Sequence, residues 1–225
     1  ISAQPFTVET KFVMPLPVRT GWTFVEWKVV DVATETNFVE GETFASGVEI
    51  ANRYGNVKVE AVWDADKNAV TYSYNTVETT KVSGEETATS GEDFVASFKA
   101  NAGYENTAVT VSRTIGQDET TLAKDTDYTI ETAEDGNVTV TVKAAAVIGA
   151  LEFTVTSSAK SYPAVITTEN TTVKLSTAIE YVTSINTTVA TATTLVINAK
   201  ANEGYGNTKV KFEVTSGSAS INVVE

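Results

Sequence analysis

Phe94–Arg113 reads FVASFKANAGYENTAVTVSR, and Leu195–Val214 reads LVINAKANEGYGNTKVKFEV. Aligned without gaps, about half of the positions are identical. The shared core is K-A-N-x-G-Y-x-N-T-x-V, at Lys99–Val109 and again at Lys200–Val210. Within the first copy Phe94, Ala96, Phe98 and Ala100 alternate with Val95, Ser97 and Lys99. Successive side chains of a strand point to opposite faces, so this period of two reads as a strand with one buried face. That strand ends at Ala100, or at Ala201 in the second copy. Asn and Gly then turn the chain, Tyr104 or Tyr205 packs across the turn, and Asn106 or Asn207 opens the next strand. The two tyrosines are therefore expected to be equivalent and at least partly buried. The copies lie 101 residues apart. That is a domain-sized period, too long for a solenoid repeat, and two similar β units in tandem are the simplest reading.

The alternation continues outward from this stretch. Val57, Val59, Ala61 and Trp63 share a face, with Lys58 and Glu60 on the other. Val138, Val140 and Val142 alternate with Thr139, Thr141 and Lys143, and Leu151, Phe153 and Val155 with Glu152, Thr154 and Thr156. Asp135-Gly136 stands between Tyr128–Thr132 and the strand from Val138, a hairpin signal because tight turns need residues that accept positive φ. Thr and Val dominate the chain, and their branched Cβ atoms favour strands. Helical spacing is scarce: Lys143–Ala150 (KAAAVIGA) reads as a turn of helix, and Thr177–Ser184 as a second short candidate. The fold class expected is mainly β. Asp64-Ala65-Asp66-Lys67-Asn68 is polar and turn-rich and reads as a linker. Ser161-Tyr162-Pro163 marks a second junction. The expected units are residues 1–64, 68–160 and a shorter copy at 161–225.

Composition narrows the function classes. The 225 residues are 42% hydrophobic, enough for a packed core, and carry a net charge of −13. Neutralising phosphates needs a basic face, so no nucleic-acid partner is expected, and anionic membranes are disfavoured for the same reason. No apolar run reaches the roughly 20 residues that span a bilayer, so no membrane insertion is expected of this stretch. Cysteine and histidine are both absent, which removes disulfides, thiolate metal sites, cysteine nucleophiles and histidine bases. Ile1-Ser2-Ala3-Gln4 lacks a basic-then-apolar leader. The export signal and anchor of a surface protein are expected outside these residues.

Pro15-x-Pro17-x-Arg19-Thr20-Gly21-Trp22-Thr23-Phe24-x-x-Trp27, closed by Val57-x-Val59-x-Ala61-Val62-Trp63, resembles the Listeria–Bacteroides repeat, the internalin B-repeat family. That family opens on P-x-R-x-G-Y-x-F-x-G-W and ends on A-x-W. Here Trp22 stands in place of the tyrosine and Glu26 in place of the glycine before Trp27. The resemblance covers roughly residues 10–64. It implies a small β-grasp-like module, found repeated in secreted and wall-attached bacterial proteins and without catalytic residues. The stretches around Gly103-Tyr104, Asp127–Ile130, Gly136–Val140 and Ile148–Phe153 look like the Ig-like, β-sandwich-type repeats that follow such units, which implies two of these in tandem.

Candidate chemistry is sparse. The paired carboxylates Asp118 and Glu119, Asp125 and Asp127, and Glu134 and Asp135 all fall in turn-like sequence, where solvated loop charge outweighs acid–base work. Asp125-x-Asp127 with Asp118 or Glu134 offers oxygen ligands but no calcium-loop pattern, and no metal or cofactor is expected. Lys99, Lys200, Asn106 and Asn207 are conceivable isopeptide partners, but both lysines fall on the polar face. Trp22, Trp27, Trp63, Tyr104 and Tyr205 are the candidate binding residues for a sugar or protein surface, with core packing the stronger reading for each. Trp27 is expected to meet Trp63 from a facing layer. These readings point to a non-catalytic piece of a bacterial cell-surface protein, extracellular or attached to the surface, with an adhesion or spacer role toward a host or cell-wall glycan or protein. The alternative is an accessory carbohydrate-binding or linker region of a larger secreted enzyme.

Overall fold

The computed structural model describes residues 5–178, 180, 182–206 and 209–214. Apart from one 3-10 turn at Ala144–Ala146, its regular structure is β. The sheets fall into three groups along the chain, and no strand of one group pairs with a strand of another among the described residues.

The first group holds β1 (Phe12–Val13), β2 (Trp22–Val32), β3 (Thr43–Phe44), β4 (Glu49–Ile50) and β5 (Val57–Ala65). β2 lies between β3 and β5 in an antiparallel sheet, and β1 pairs with β4. Where a β-grasp module lays a helix across its sheet, residues 33–56 run as turns and two short strands. The core is aromatic: Met14, Trp27, Phe38 and Ile50 are buried, with Phe6, Phe24 and Phe44 packed against them.

The second group is a two-layer sandwich. Its strands are β6 (Lys67–Tyr74), β7 (Thr79–Ser83), β8 (Thr87–Thr89), β9 (Phe94–Ala100), β10 (Tyr104–Ile115), β11 (Asp118–Thr121), β12 (Tyr128–Thr132), β13 (Asn137–Val142) and β14 (Ala150–Ala159). One sheet runs β11-β10-β14-β6-β8 and the other β12-β13-β9-β7. All pairings are antiparallel except β14 with β6. The expected ladders face inward. Phe94, Ala96 and Phe98 of β9 and Val138, Val140 and Val142 of β13 meet Leu151, Phe153 and Val155 of β14 in one core. Each of these Val, Leu and Phe side chains, fully buried, contributes roughly 1.5–3 kcal/mol. β12 and β13 form the hairpin expected at Asp135-Gly136, with Gly136 at φ +82°.

The third group contains β15 (Ser161–Glu169), β16 (Thr171–Leu175), β17 (Ser184–Ala190), β18 (Ile197–Ala201) and β19 (Lys209–Val214), in sheets β17-β15-β19 and β16-β18. Thr177–Ser184 forms no helix among the described residues. A turn at Ser176-Thr177 is followed by a bridge between Val173 and Val182, and β17 begins at Ser184. The K-A-N-x-G-Y repeat occupies equivalent places in the second and third groups. β9 pairs with β7 through Thr79 opposite Ala100, and β18 with β16 through Thr171 opposite Ala201.

Two readings of the junctions change. Asp64 and Ala65 end β5, and Lys67 and Asn68 begin β6, so the expected linker is strand except at Asp66. Asp66 itself has both backbone groups paired: its N–H donates to the Gly21 carbonyl (3.1 Å) and its carbonyl accepts from Ser90 N–H (2.9 Å). Polar side chains there mark solvent-facing strand ends, not free chain. Likewise Ser161-Tyr162-Pro163 are the first residues of β15, and Lys160 alone separates them from β14.

Candidate functional site

The five aromatic candidates do not share one surface. Trp27 is 6% exposed, and its indole Nε1 donates to the Pro15 carbonyl at 2.8 Å. It is core. Phe24 stands between the two tryptophans, its ring centroid 5.6 Å from those of Trp27 and Trp63. Trp63 is half-buried at the end of that chain of rings. Trp27 and Trp63 belong to neighbouring strands of one sheet, with Phe24 paired to Trp63 and Trp27 to Ala61. The expectation of facing layers is corrected: a two-for-one step between Phe24 and Glu26 turns Phe24 and Trp27 to the same face, which the spacing of three hides.

Trp22 lies outside this core. The Arg19 guanidinium sits 4.0 Å over its ring. Gly91 of the second sheet group also lies against it, and an added Cβ there would come within 2.8 Å of Trp22 Cζ2. Tyr104 and Tyr205 have equivalent backbone turns. Each follows a glycine at positive φ (Gly103 +86°, Gly204 +85°) and donates its N–H to an asparagine carbonyl three residues back, at 2.9 Å to Asn101 and 3.0 Å to Asn202. Their burial differs: Tyr104 is half-buried, while Tyr205 is 56% exposed. The repeat's Asn207 lies outside the described residues.

Two of the candidate carboxylates, Asp127 and Asp135, are engaged in turns. Asp127 Oδ2 accepts from Ala123 N–H at 2.8 Å, and Asp135 Oδ1 accepts from Asn137 N–H at 3.0 Å. Asp135 Oδ2 accepts from the Lys99 ammonium at 3.1 Å, so that lysine faces an exposed acid rather than an asparagine. The Asn137 bond first, and Lys99 second, hold the Asp135 carboxyl below its usual range. Asp118 and Glu119 are exposed on β11. At the Asp125–Asp127 turn the Lys143 ammonium donates to the carbonyls of Asp125 (2.8 Å) and Thr126 (2.7 Å). The positive charge on those oxygens is thus the protein's own. Among the described residues no group of three or more acidic side chains is placed to hold a metal ion, and no helix is long and apolar enough to cross a membrane. The concavity beside Phe6 and Arg53 is open, and Arg53 is already held by Glu42 and the Asn37 carbonyl (2.6 Å).

No protein-family model, curated protein or solved structure matches the chain. What the geometry leaves is a half-buried Trp63, an exposed Tyr205 and a Trp22 set between two sheet groups. Sequence reading missed this last placement. The available signal was that Gly21-Trp22 and Gly103-Tyr104 are the same dipeptide type at the same point of two units.

Proposed function

We propose that this chain is a non-catalytic spacer segment of a modular bacterial cell-surface protein, exported and presented outside the cell. On this reading residues 1–64 are a variant of the Listeria–Bacteroides repeat, and the two groups after it are copies of one β unit. The observation that carries it is the duplication. The same 20-residue motif builds a strand and then a left-handed glycine–tyrosine turn in consecutive sheet groups, after β9 and after β18. Repeating a β unit along a chain adds length without adding a reactive centre.

The test is binding by the whole chain to arrays of cell-wall and host glycans and to host-matrix proteins. A spacer binds none of them saturably. Saturable glycan binding that Trp63→Ala abolishes would replace the spacer role with carbohydrate recognition, as in an accessory region of a secreted enzyme, since Trp63 is a tryptophan left partly accessible at the edge of its core.

A further inference from the structure

The two places where one sheet group meets the next are built alike. At the first, Gly21 is left-handed (φ +79°), and the following Trp22 donates its N–H back to Arg19 (3.1 Å) and pairs with Ala65 across the sheet. The residue after Ala65 is Asp66. Its N–H donates to the Gly21 carbonyl, and its carbonyl accepts from Ser90 N–H at 2.9 Å. At the second, Gly103 is left-handed (φ +86°), and Tyr104 donates its N–H back to Asn101 and pairs with Ala159. The residue after Ala159 is Lys160. Its N–H donates to the Gly103 carbonyl at 2.8 Å, and its carbonyl accepts from Thr191 N–H at 2.8 Å. A hydroxyl residue therefore closes each junction: Ser90 is followed by Gly91 at φ +78°, and Thr191 by Ala192 at φ +60°.

Both glycines are also in close contact with the incoming group. A Cβ on Gly21 would lie 2.9 Å from Ser90 Oγ and 3.0 Å from the Ile148 Cα. One on Gly103 would lie 2.8 Å from Thr191 Cγ2 and 3.0 Å from its Oγ1, which donates to the Gly103 carbonyl at 2.6 Å. The third copy of the turn, Gly204-Tyr205, has the same left-handed glycine, yet among the described residues nothing lies within 4 Å of where its Cβ would be.

We propose that the glycine–aromatic turn is a docking seat between units. It receives the single joining residue and the Ser/Thr turn of the group that follows it in the chain, and it fixes the orientation of one unit on the next. The glycine is required twice, for its positive φ and for the absence of a Cβ against the incoming hydroxyl residue. The joining residue adds no slack, because both its backbone groups are bonded. The K-A-N-x-G-Y motif is then a contact surface for a neighbouring unit of this chain, not a ligand-stacking site. This inference stands whether the chain is a spacer or an accessory region.

Trypsin reads the second junction in the intact chain, since Lys160 is itself a cleavage point. In the wild type the bond after Lys160 is protected by the seat. Gly103→Val should raise the cleavage rate there roughly tenfold or more, because cutting follows the population of the opened junction. Gly204→Val is the control: it imposes the same left-handed strain with no neighbour to displace among the described residues, and should leave cleavage after Lys160 unchanged. Thr191→Ala, which keeps the glycine, should accelerate the same cut. Circular dichroism and the number of resolved amide resonances report that the units remain folded. If Gly103→Val misfolds, Thr191→Ala carries the test. Equal cleavage after Lys160 in the wild type, Thr191→Ala and Gly103→Val would overturn the seat, as would acceleration by Gly204→Val to the same degree.

Discussion

Tyr72 sits where the aromatic core of the sandwich reaches solvent. Its ring stacks on Phe153 (centroids 5.5 Å apart, 27° between planes), its hydroxyl donates to the Glu85 carbonyl at 2.5 Å, and the Lys81 ammonium lies 4.0 Å over the ring. Burial first, then the negative charges of Glu85 and Glu86, push its phenol up from 10.0 to about 12. The folded state therefore keeps a proton that the unfolded chain has given up between about pH 10 and 12. Tyr72 contributes stability that is fully present below pH 10 and lost as the pH rises toward 12. Denaturant midpoints of the wild type should fall across that window, and those of Tyr72→Phe should fall less steeply; parallel slopes would show that the phenol ionises as it does in the unfolded chain. Burial, with Asp125 second, raises Tyr128 in the same direction, so some slope remains in the variant.

β2 illustrates what a single extra residue does to an element. Its pairing with β5 slips between Phe24 and Glu26 and again between Val29 and Asp31. The first slip leaves Val25 unpaired and 45% exposed, and it puts Phe24 and Trp27 on one face although they are three residues apart. Because a strand's side chains alternate, removing the unpaired residue keeps Phe24, Trp27 and Val29 facing the core. Removing a paired one, such as Glu60 of β5, turns its downstream neighbours outward. Deletion of Val25 should therefore cost less than the roughly 3–5 kcal/mol expected for truncating the buried Trp27 to Ala, whereas deletion of Glu60 should unfold residues 1–65. Tryptophan fluorescence during thermal unfolding distinguishes the two. A Val25 deletion as damaging as the Glu60 deletion would mean that the slip is not what sets the facing of Trp27.

At the scale of the molecule, each sheet group closes its own hydrogen-bond ladders, and the single residues Asp66 and Lys160 carry the chain between them. Among the described residues the sandwich has the largest buried core, with Phe98, Phe153, Val111, Val140 and Val142 fully buried, and its strands pair with one another and with no strand of another group. The fragment 67–160 should thus unfold in one cooperative transition on its own, seen as coincident circular dichroism and fluorescence melts. It has to start at Lys67, because that residue already pairs with Thr89 across β6 and β8. Broad or non-coincident melts would show that the neighbouring groups complete its core.

The amino-acid sequence determined which residues face inward. The ladders at 94–98, 138–142 and 151–155, the Asp135-Gly136 hairpin and the duplicated motif are all local patterns, and a period of two is written in consecutive residues. Beyond that hairpin it could not say which strand lies beside which. The parallel pairing of β6 with β14 joins Val70 to Leu151, and nothing in either stretch names the other. Nor could alternation foresee the slip at Val25, since a bulge breaks the period that is being read. The junctions were decided only in three dimensions. Asp64–Asn68 looks like a linker because polar strand ends and polar linkers share a composition. Only the folded chain brings Gly21 against Ser90, Trp22 against Gly91 and Gly103 against Thr191. The same holds for the candidate sites. Lys143 reaches the carbonyls of Asp125 and Thr126 from the far end of another strand, and only that approach shows which charge those oxygens already hold.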